Sequence, residues 1–378
     1  MKIIKRKRSV LTDEKSLEHL YTIRNFPVFM GCTNKLPKED LKSDMSFSIC
    51  KSTGIIQLDN LLPLDIVYQD QHNDGVGKIW NEHYISFADF CKKYNRPHVL
   101  EIGGATDNIG GSYIKKYPSS EWTILEPHPQ LVVNKKIRII KKWFGDFTRE
   151  KGEYEMIVHS HVFEHMYDPR EFLYQINKQL KNGGLVVFSL PNMFEQLSHK
   201  YTNCLNFEHT CFLAEPFVDA LLKSHGFKIL KKSYFKKHSI FYAAKKTKEI
   251  DDPQIVVTTS HYKEFKKIFN DFTSYHLNLV DKLNKQMSSF NGKVFLFGAH
   301  IFSQYLLAFG LNNKRIEAIL DNSPLKQNKR LYGSRLLVKN PKIIKKYPTV
   351  AIILKVGAYR DEILRQAISI NPKVTILE

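Results

Sequence analysis

The stretch that decides the fold is HVLEIGGATDNIGG, residues 98–111. Its first five residues form an apolar, strand-like run, and the glycines that follow predict a tight turn into a helix over residues 112–117. A second strand-like run, Trp122–Leu125, ends at Glu126. A strand, a helix and a strand in this order predict a βαβ unit and therefore a parallel sheet.

Beyond this unit the alternation of strand and helix patterns continues, stops and starts again. Elements are predicted, in chain order, at Met156–Val158, Pro169–Leu180, Leu185–Phe188, Tyr262–Met287, Val294–Gly298, Phe302–Phe309, Ile316–Leu320, Val350–Leu354, Tyr359–Ile368 and Val374–Leu377. A Lys- and Asp-rich linker, residues 245–253, separates two such modules, whereas residues 1–85 show only short apolar pieces. We predict an α/β protein with a central Rossmann-like sheet, a small irregular N-terminal domain and a second Rossmann-like C-terminal domain.

The composition limits the partners and the compartment. The 378 residues include 57 Lys and Arg against 38 Asp and Glu, and the net charge of +19 favours phosphate, nucleotide, nucleic acid or an anionic membrane surface. Residues 251–378 contribute +10 and the first 250 residues +9, so an arm that binds nucleic acid is disfavoured. Five scattered cysteines, with no signal-peptide core and no apolar run near ~18 residues, predict a soluble, cytoplasmic protein.

The glycine turn indicates a site for an adenosyl cofactor. Small residues at Gly103 and Gly104 let backbone N–H groups approach a ligand, and Glu126 stands where an acid accepts hydrogen bonds from ribose hydroxyls. The spacing from Gly103 to Gly110 does not give the G-x-G-x-x-G pattern of dinucleotide sites, and Glu101 would repel a pyrophosphate. Both observations favour S-adenosylmethionine, whose amino-acid end is cationic.

Three further residues are assigned to the cofactor. Asp146 can hold the adenine amine, with the Phe147 ring over the base, although a solvated turn acid beside a core phenylalanine fits the sequence equally well. Ser160 lies near the end of the strand that begins at Met156, where α/β folds collect their ligand-binding residues.

These motifs resemble class I S-adenosylmethionine-dependent methyltransferases, and most closely the three-domain C-methyltransferases of nucleotide-linked deoxysugars. The resemblance rests on Val99–Gly104, Glu126-Pro127, His165 with Asp168, Phe207-Glu208-His209 with Phe212, Phe297-Gly298-Ala299, Asp321–Pro324 with Lys326-Gln327, and Tyr332-Gly333. It runs from about residue 28 to the end of the chain. It implies methyl transfer to a nucleotide-linked sugar, for a surface glycan or a related product.

The resemblance also gives each domain a role. Residues 1–85 form the small N-terminal domain, residues 86–249 bind S-adenosylmethionine, and residues 250–378 form a helical linker and a substrate-binding domain. In the last of these, Asp321 follows Gly298 by 23 residues and repeats the pattern of a glycine turn and an acid. Nearby cations fit either a diphosphate or a solvated basic turn: Lys326, Lys329, Arg330 and Arg335.

The catalytic candidates are His209, Glu208 and His161. In the family that the chain resembles, a histidine at the position of His209 accepts the substrate proton, and a neutral imidazole with an ordinary pKa near ~6.5 suits this role. Glu208 would orient that imidazole. His161 belongs to a histidine group after the Met156 strand that lacks H-E-x-x-H spacing, so we predict no metal there and expect His165 to pack or cap locally.

The N-terminal domain departs from the family. The family binds zinc through two C-x-x-C pairs, but Phe29 and Thr53 stand where Cys32 and Cys50 need partners. Two thiols cannot complete a four-cysteine site, so we predict no zinc and hydrophobic packing around Phe29.

The tyrosine-rich stretch of the family is also reduced, to Tyr68 with His72 and Trp80. C-methylation and O-methylation, each with His209 as base, therefore both stay open. Two other functions remain as alternatives. One is methylation of RNA or another polymer, which the net charge favours although no basic-aromatic recognition motif is present; the other is a non-catalytic scaffold that keeps the fold.

Overall fold

A computed structural model of the chain describes residues 2–68, 78–130, 134–147, 153–257, 259–355 and 360–378. These residues form a three-stranded N-terminal sheet, a seven-stranded central sheet and a five-stranded C-terminal sheet, besides two small two-stranded pairings. The predicted α/β class with a second C-terminal sheet is therefore confirmed. Within the described residues, no helix has both the length and the apolar character needed to cross a membrane.

The N-terminal region is built on antiparallel strands. Its elements are β1 (Ile4–Lys5), β2 (Leu17–Pro27), β3 (Cys32–Thr33), a 3-10 helix (Pro37–Glu39), β4 (Lys42–Cys50), β5 (Ile56–Leu58), β6 (Asn60–Leu61) and α1 (Leu64–Val67). Strands β2, β4 and β5 pair in one antiparallel sheet. This sheet was not predicted, because β2 fully buries only Ile23, Phe26 and Pro27 and lacks the apolar alternation of a half-buried strand.

The central region alternates strands and helices as predicted. Its elements are α2 (Lys78–Cys91), β7 (His98–Ile102), α3 (Asn108–Lys116), β8 (Glu121–Leu125), β9 (Ile137–Ile140), a 3-10 helix (Phe144–Asp146), β10 (Tyr154–Ser160), a 3-10 helix (Phe163–His165), α4 (Pro169–Gln179), β11 (Leu180–Pro191), α5 (Met193–Ser198), a 3-10 helix (Thr202–Cys204), α6 (Glu215–Ser224), β12 (Phe227–Phe235) and β13 (Ser239–Lys246). The strand order is β12-β13-β11-β10-β7-β8-β9.

The parallel strands of the central sheet end at one edge, which positions the candidate site. Strand β13 is the exception, because it runs antiparallel to both of its neighbours. Ser239 at its start therefore lies opposite Pro191 at the end of β11. The turn before β13, residues 236–238, joins the ends of the parallel strands at this edge.

The predicted linker over residues 245–253 begins too early. Lys245 and Lys246 belong to β13, and Lys246 is only 1% exposed. Its ammonium group donates hydrogen bonds to the carbonyls of Asn177 (2.7 Å) and Leu180 (2.8 Å) at the end of α4, where a cation complements the helix dipole. The lysine-rich sequence suggested an exposed linker, but Lys246 is buried in a strand because these carbonyls accept hydrogen bonds from its ammonium group.

The C-terminal region begins with a long helix. Its elements are α7 (Tyr262–Ser289), β14 (Lys293–Phe297), α8 (Ile301–Ala308), a 3-10 helix (Asn313–Arg315), β15 (Ile316–Leu320), β16 (Arg330–Leu331), β17 (Val338–Lys339), a 3-10 helix (Pro341–Lys346), β18 (Val350–Leu354), α9 (Arg360–Ile370) and β19 (Thr375–Leu377). The parallel order β17-β15-β14-β18-β19 places β14 in the middle. The predicted start of the helix at Tyr359 lies outside the described residues.

The C-terminal region is locked onto the other two. Arg330 forms an ion pair of 2.6 Å with Asp40, and both side chains are almost fully buried. Strand β16 pairs with β3, and Gln304 on α8 donates to the carbonyl of Phe29 at 2.9 Å. The hydroxyl of Tyr305 donates to the carbonyl of Leu205 in the central region. One hydrophobic core includes residues of all three regions, so the chain packs as a single unit.

Candidate active site

The turn after β7 carries the two glycines assigned to the cofactor. Gly103 has a φ of +75°, a left-handed conformation that favours glycine, and its N–H donates to the carbonyl of Leu125 at 2.9 Å. A Cβ atom on Gly103 would lie 2.6 Å from Val162 Cγ2, and one on Gly104 would lie 2.8 Å from Glu101 Cδ. Only glycine fits both positions, so the turn presents bare backbone at the sheet edge, as a cofactor loop requires.

Glu101 lies beneath this turn. Its side chain is 3% exposed, and its Oε2 accepts a hydrogen bond of 2.7 Å from the indole Nε1 of Trp122. Helix α3 packs so closely on that indole that a Cβ atom on Gly110 would lie 2.5 Å from Nε1. Burial raises the pKa of Glu101 to about 8, against the opposing effect of the indole hydrogen bond. At pH 7 the Glu101 carboxyl is therefore mainly protonated, and a nearby cation would favour its ionised form.

The three other residues predicted to face the nucleoside differ in exposure. Glu126 is half-buried after β8, its Oε1 accepts from the N–H of His128 at 2.9 Å, and burial raises its pKa. Asp146 is exposed in a 3-10 helix. Phe147 is only 7% exposed, and its ring lies 6.5 Å from that of Tyr154. The predicted role of Phe147 against adenine stays a prediction.

Ser160 links the sheet to α2. Its hydroxyl lies 2.8 Å from Ser189 Oγ and 3.2 Å from His83 Nε2. His83 is fully buried, and desolvation lowers its pKa to about 2, so its imidazole is neutral. A cofactor contact of Ser160 stays a prediction.

His161 follows β10 in a strained conformation. Its φ of +53° is uncommon outside glycine, and its N–H donates to the carbonyl of Ser189 at 3.0 Å. Its Nδ1 lies 3.3 Å from Glu164 Oε1, and its Nε2 lies 2.9 Å from Ser239 Oγ. Burial lowers the pKa of His161 well below its usual value. The imidazole is therefore neutral between a carboxyl and a hydroxyl.

His209 is held by its own loop. Its Nδ1 lies 2.9 Å from the carbonyl of Cys204, and the N–H groups of Glu208 and His209 both donate to Asn206 Oδ1 at 2.8 Å. A neutral imidazole donates through one nitrogen and accepts through the other. Because the carbonyl of Cys204 can only accept, it fixes the proton on Nδ1 and leaves Nε2 of His209 with its lone pair.

His165 packs beside this imidazole. The two rings are 5.2 Å apart, and His165 Nδ1 lies 3.1 Å from Tyr68 OH. His165 Nδ1 is also 3.7 Å from Glu208 Oε2, and its Nε2 is 3.7 Å from Glu164 Oε1. Burial lowers the pKa of His165. Glu208 Oε2 thus faces His165, the carbonyl of Cys204 orients His209, and the predicted role of Glu208 toward His209 stays a prediction.

Glu164, His83 and His238 were not predicted as members of the site. Glu164 is fully buried, and neither carboxylate oxygen has a hydrogen-bond partner among the described residues. Desolvation raises its pKa. Its place in the predicted histidine group was a usable signal. No sequence pattern indicated that His83 or His238 belongs to the site. They lie on α2 and on the turn between β12 and β13, and neither element was predicted.

Two groups of three potential metal-binding residues occur among the described residues. They are His83, His161 and His238, and Glu164, His165 and His209, with one ligand atom per residue and all atoms of a group within 4.8 Å of one another. The absence of a metal at this edge stays a prediction. The predicted neighbour His72 lies outside the described residues.

The two N-terminal thiols have different surroundings. Cys32 Sγ lies 3.8 Å from the carbonyl of Ala299, whereas Cys50 Sγ lies 3.1 Å from the hydroxyls of Ser16 and Ser52. Phe29 is buried, with its ring packed against that of Tyr332. The residues present do not fit a zinc site of four thiolates.

The C-terminal turn uses its acid internally. Asp321 accepts hydrogen bonds from the N–H groups of Ala299 and Ser323, both at 2.9 Å, and pairs with the Lys326 ammonium at 3.1 Å. Arg330 is committed to the buried ion pair described above. Arg330 is therefore not available to a diphosphate.

Two family matches cover most of the chain in succession. Residues 83–232 match the family described as "Methyltransferase domain", and residues 230–374 match "C-methyltransferase C-terminal domain". Each match alone covers less than half of the chain. No curated protein matches the sequence.

Several solved structures are distantly similar to this chain. A putative S-adenosylmethionine-dependent methyltransferase from Listeria monocytogenes shares 12% identity, with 45% of this chain and 100% of that chain covered and a TM-score of 0.37. Human N-acetylserotonin methyltransferase in complex with S-adenosylmethionine shares 17%, with 45% and 53% covered and a TM-score of 0.37. A possible histamine N-methyltransferase from Thermotoga maritima shares 13%, with 43% and 89% covered and a TM-score of 0.35.

Proposed function

We propose that this protein, an S-adenosylmethionine-dependent methyltransferase by its two matched domains, methylates carbon or oxygen of a nucleotide-linked sugar, for a surface glycan or a related product. The observation that carries the proposal is the fixed lone pair of His209 Nε2 at the edge that also holds the glycine turn. The net charge of +19 supports an anionic acceptor, and the match to a C-methyltransferase C-terminal domain supports carbon as the methylated atom.

The residues of the glycine turn would hold the donor. Bound S-adenosylmethionine supplies an electrophilic methyl group on a sulfonium. The backbone at Gly103 and Gly104 accommodates its amino-acid end, and Glu101 beneath the turn balances the cationic charge once ionised. Glu126 is placed after the next strand for the ribose hydroxyls, with Asp146 and Ser160 at the same sheet edge.

His209 would act as the general base. Its Nε2 accepts the proton of the acceptor C–H or O–H bond as the electron pair of that bond attacks the methyl carbon. The carbonyl of Cys204 keeps the imidazole in the accepting tautomer. Burial raises the pKa of Tyr68 well above its usual value, so its phenol remains neutral at 3.1 Å from His165 Nδ1. Glu208 and His161 complete the polar surroundings of the base.

Mass spectrometry of a panel of nucleotide sugars, incubated with the protein and S-adenosylmethionine, tests this function. We expect one panel member to gain one methyl group. Deuterium at the acceptor carbon is lost in C-methylation and retained in O-methylation, which separates the two chemistries. Methylation of RNA with no methylated sugar would favour the polymer alternative, and a folded protein that binds no donor would favour the scaffold.

A further inference from the structure

Methyl transfer from a sulfonium to a neutral acceptor through its C–H or O–H bond leaves one proton behind. The acceptor C–H or O–H bond breaks, its electron pair forms the new bond to the methyl carbon, and the methyl–sulfur bond breaks with its pair on sulfur. Under the proposed function the proton is then on His209 Nε2. A bound acceptor covers this side of the imidazole, so the proton needs another way to the solvent before the next turnover.

Glu164 is the first group on the inner side of the base. It is fully buried, its two oxygens have no hydrogen-bond partner among the described residues, and one of its oxygens lies within 4.8 Å of a nitrogen of His209. A single water molecule or a small rotation of a side chain spans such a distance. On its other side, Glu164 Oε1 lies 3.3 Å from His161 Nδ1. The carboxyl therefore stands between two imidazoles.

From His161 a chain of short contacts continues to the surface. His161 Nε2 lies 2.9 Å from Ser239 Oγ, which in turn lies 2.6 Å from His238 Nδ1. The single hydroxyl proton of Ser239 can be donated to only one of the two imidazoles, so Ser239 must accept a hydrogen bond from the other. Ser239 is fully buried, whereas His238 is partly exposed in the turn before β13.

Two features indicate that the surrounding structure imposes this series of contacts from Glu164 to His238. His161 adopts a left-handed backbone, with a φ of +53°, in the position that places its ring between Glu164 and Ser239. Strain of this kind persists only where the surrounding structure imposes it. The Trp80 ring packs edge-on against His161 at 4.8 Å and His238 at 4.7 Å. The indole therefore contacts both imidazoles that flank Ser239.

We propose that Glu164, His161, Ser239 and His238 form a proton path from the active site to the solvent. His209 gives one proton to the Glu164 carboxylate, which passes a proton to His161 Nδ1. His161 releases the proton of its Nε2 to Ser239 Oγ, the Ser239 hydroxyl releases its own to His238 Nδ1, and His238 Nε2 releases one to water. Each group ends with its original number of protons, and reorientation of the hydroxyl and the rings resets the path.

Proton exchange at His161 tests the path without any methyl acceptor. In full-length protein carrying ring-¹⁵N histidine, we expect Ser239→Ala to slow exchange of the His161 ring N–H with water by about tenfold. A cavity or local opening would accelerate this exchange, so slower exchange is specific to loss of the path. Ser239→Thr keeps the hydroxyl and should keep the exchange rate. The matched control is Ser224→Ala, because Ser224 Oγ also contacts a histidine, His225, outside the path. Unchanged or faster exchange in Ser239→Ala overturns the proposal.

Turnover provides the second test, with the acceptor that the sugar panel identifies. Loss of the outer steps in Ser239→Ala or His238→Gln should lower kcat about tenfold at unchanged KM, and added imidazole should restore kcat only in these variants. Equal rates without imidazole would overturn the path. So would a requirement for added Mn²⁺ that is lost in Glu164→Gln, since Glu164 would then be a metal ligand. If the panel yields no acceptor, the proposed function fails while the exchange experiment still decides the path.

Discussion

The turns that follow β7 and β14 both begin with a left-handed glycine, Gly103 at a φ of +75° and Gly298 at +99°. In each turn the glycine N–H donates to the last residue of the neighbouring strand, Leu125 at 2.9 Å and Leu320 at 2.8 Å. An acid stands 23 residues after each glycine. The two turns are therefore alike in backbone conformation and in the spacing between glycine and acid.

The two acids are used differently. Asp321 is 9% exposed and accepts hydrogen bonds from the backbone of its own turn, at Ala299 and Ser323. Glu126 remains half-buried at the open edge, and its bond to the N–H of His128 is local. A glycine turn followed by an acid therefore predicts a parallel α/β unit. Because each acid accepts at least one backbone N–H group of its own turn, the pattern does not by itself predict a ligand site.

The largest expected difference between the two edges is catalytic. Loss of the general base in His209→Ala should lower kcat by about 10²–10⁴-fold. The counterpart at the second turn is His300→Ala, which should change kcat by less than about threefold. Rates of methyl transfer to the identified sugar acceptor measure both. Similar losses in the two variants would contradict the assignment of chemistry to the central edge.

The second prediction concerns the cation that the C-terminal edge has committed to structure. Arg330→Met leaves Asp40 charged and buried, which should lower the free energy of unfolding by about 3–5 kcal/mol. The double change Arg330→Met with Asp40→Leu removes that charge and should recover most of the loss. Urea denaturation measures both proteins. A single variant as stable as the wild type would mean that the guanidinium is free for a ligand.

The third prediction compares the two acids directly. Asp321→Ala leaves buried N–H groups unpaired and should lower the free energy of unfolding by about 1–3 kcal/mol, with donor affinity unchanged. Glu126→Ala should weaken binding of S-adenosylhomocysteine by about tenfold, with stability changed by less than about 0.5 kcal/mol. Calorimetry and denaturation separate the two effects. The comparison fails if the effects are exchanged.

The smallest expected effect is the release of protons when the methyl donor binds. Because burial holds the pKa of Glu101 at about 8, donor binding at pH 7 should ionise this carboxyl and release up to about one proton. Calorimetry in two buffers of different ionisation enthalpy measures the release, which Glu101→Gln should abolish. Equal release by the variant would place the titrating group elsewhere.

The same pKa sets the sign of a stability effect. The pKa of Glu101 is raised in the folded protein, so the contribution to stability is complete at acid pH and is lost as pH rises toward about 8. Unfolding measurements between pH 5 and about pH 8 should show a flatter decline for Glu101→Gln than for the wild type.

The sequence predicted the parallel strands well, because continuous apolar runs bounded by turns leave little choice. His98–Ile102, Ile316–Leu320 and Val350–Leu354 have the predicted limits. Helix α2 and the β12-β13 hairpin were missed, since half-exposed helices and an antiparallel pair at the end of the sheet carry weak periodicity. The pattern of a parallel sheet therefore revealed the fold but not its periphery.

The site was predictable only where its residues are close in sequence. The glycine turn, Glu126 and His209 came from local motifs. The contacts of His165 with Tyr68 and Glu208 join three separate segments, and no spacing in the chain reveals them. The same holds for the indole that anchors Glu101, because cross-strand pairs depend on register. Tertiary neighbours decided these roles.

The hydroxyl of Tyr305 on α8 donates a hydrogen bond to the carbonyl of Leu205. The preceding carbonyl, that of Cys204, accepts the hydrogen bond that orients His209. A shortened protein that stopped after the central sheet would retain every residue assigned to the methyl donor and the base. The loop that carries His209 would, however, lose its hydrogen bond to α8. Engineers who graft a foreign C-terminal half to change the acceptor should therefore transplant α8 together with residues 202–209, or expect a chimaera that binds donor and turns over slowly.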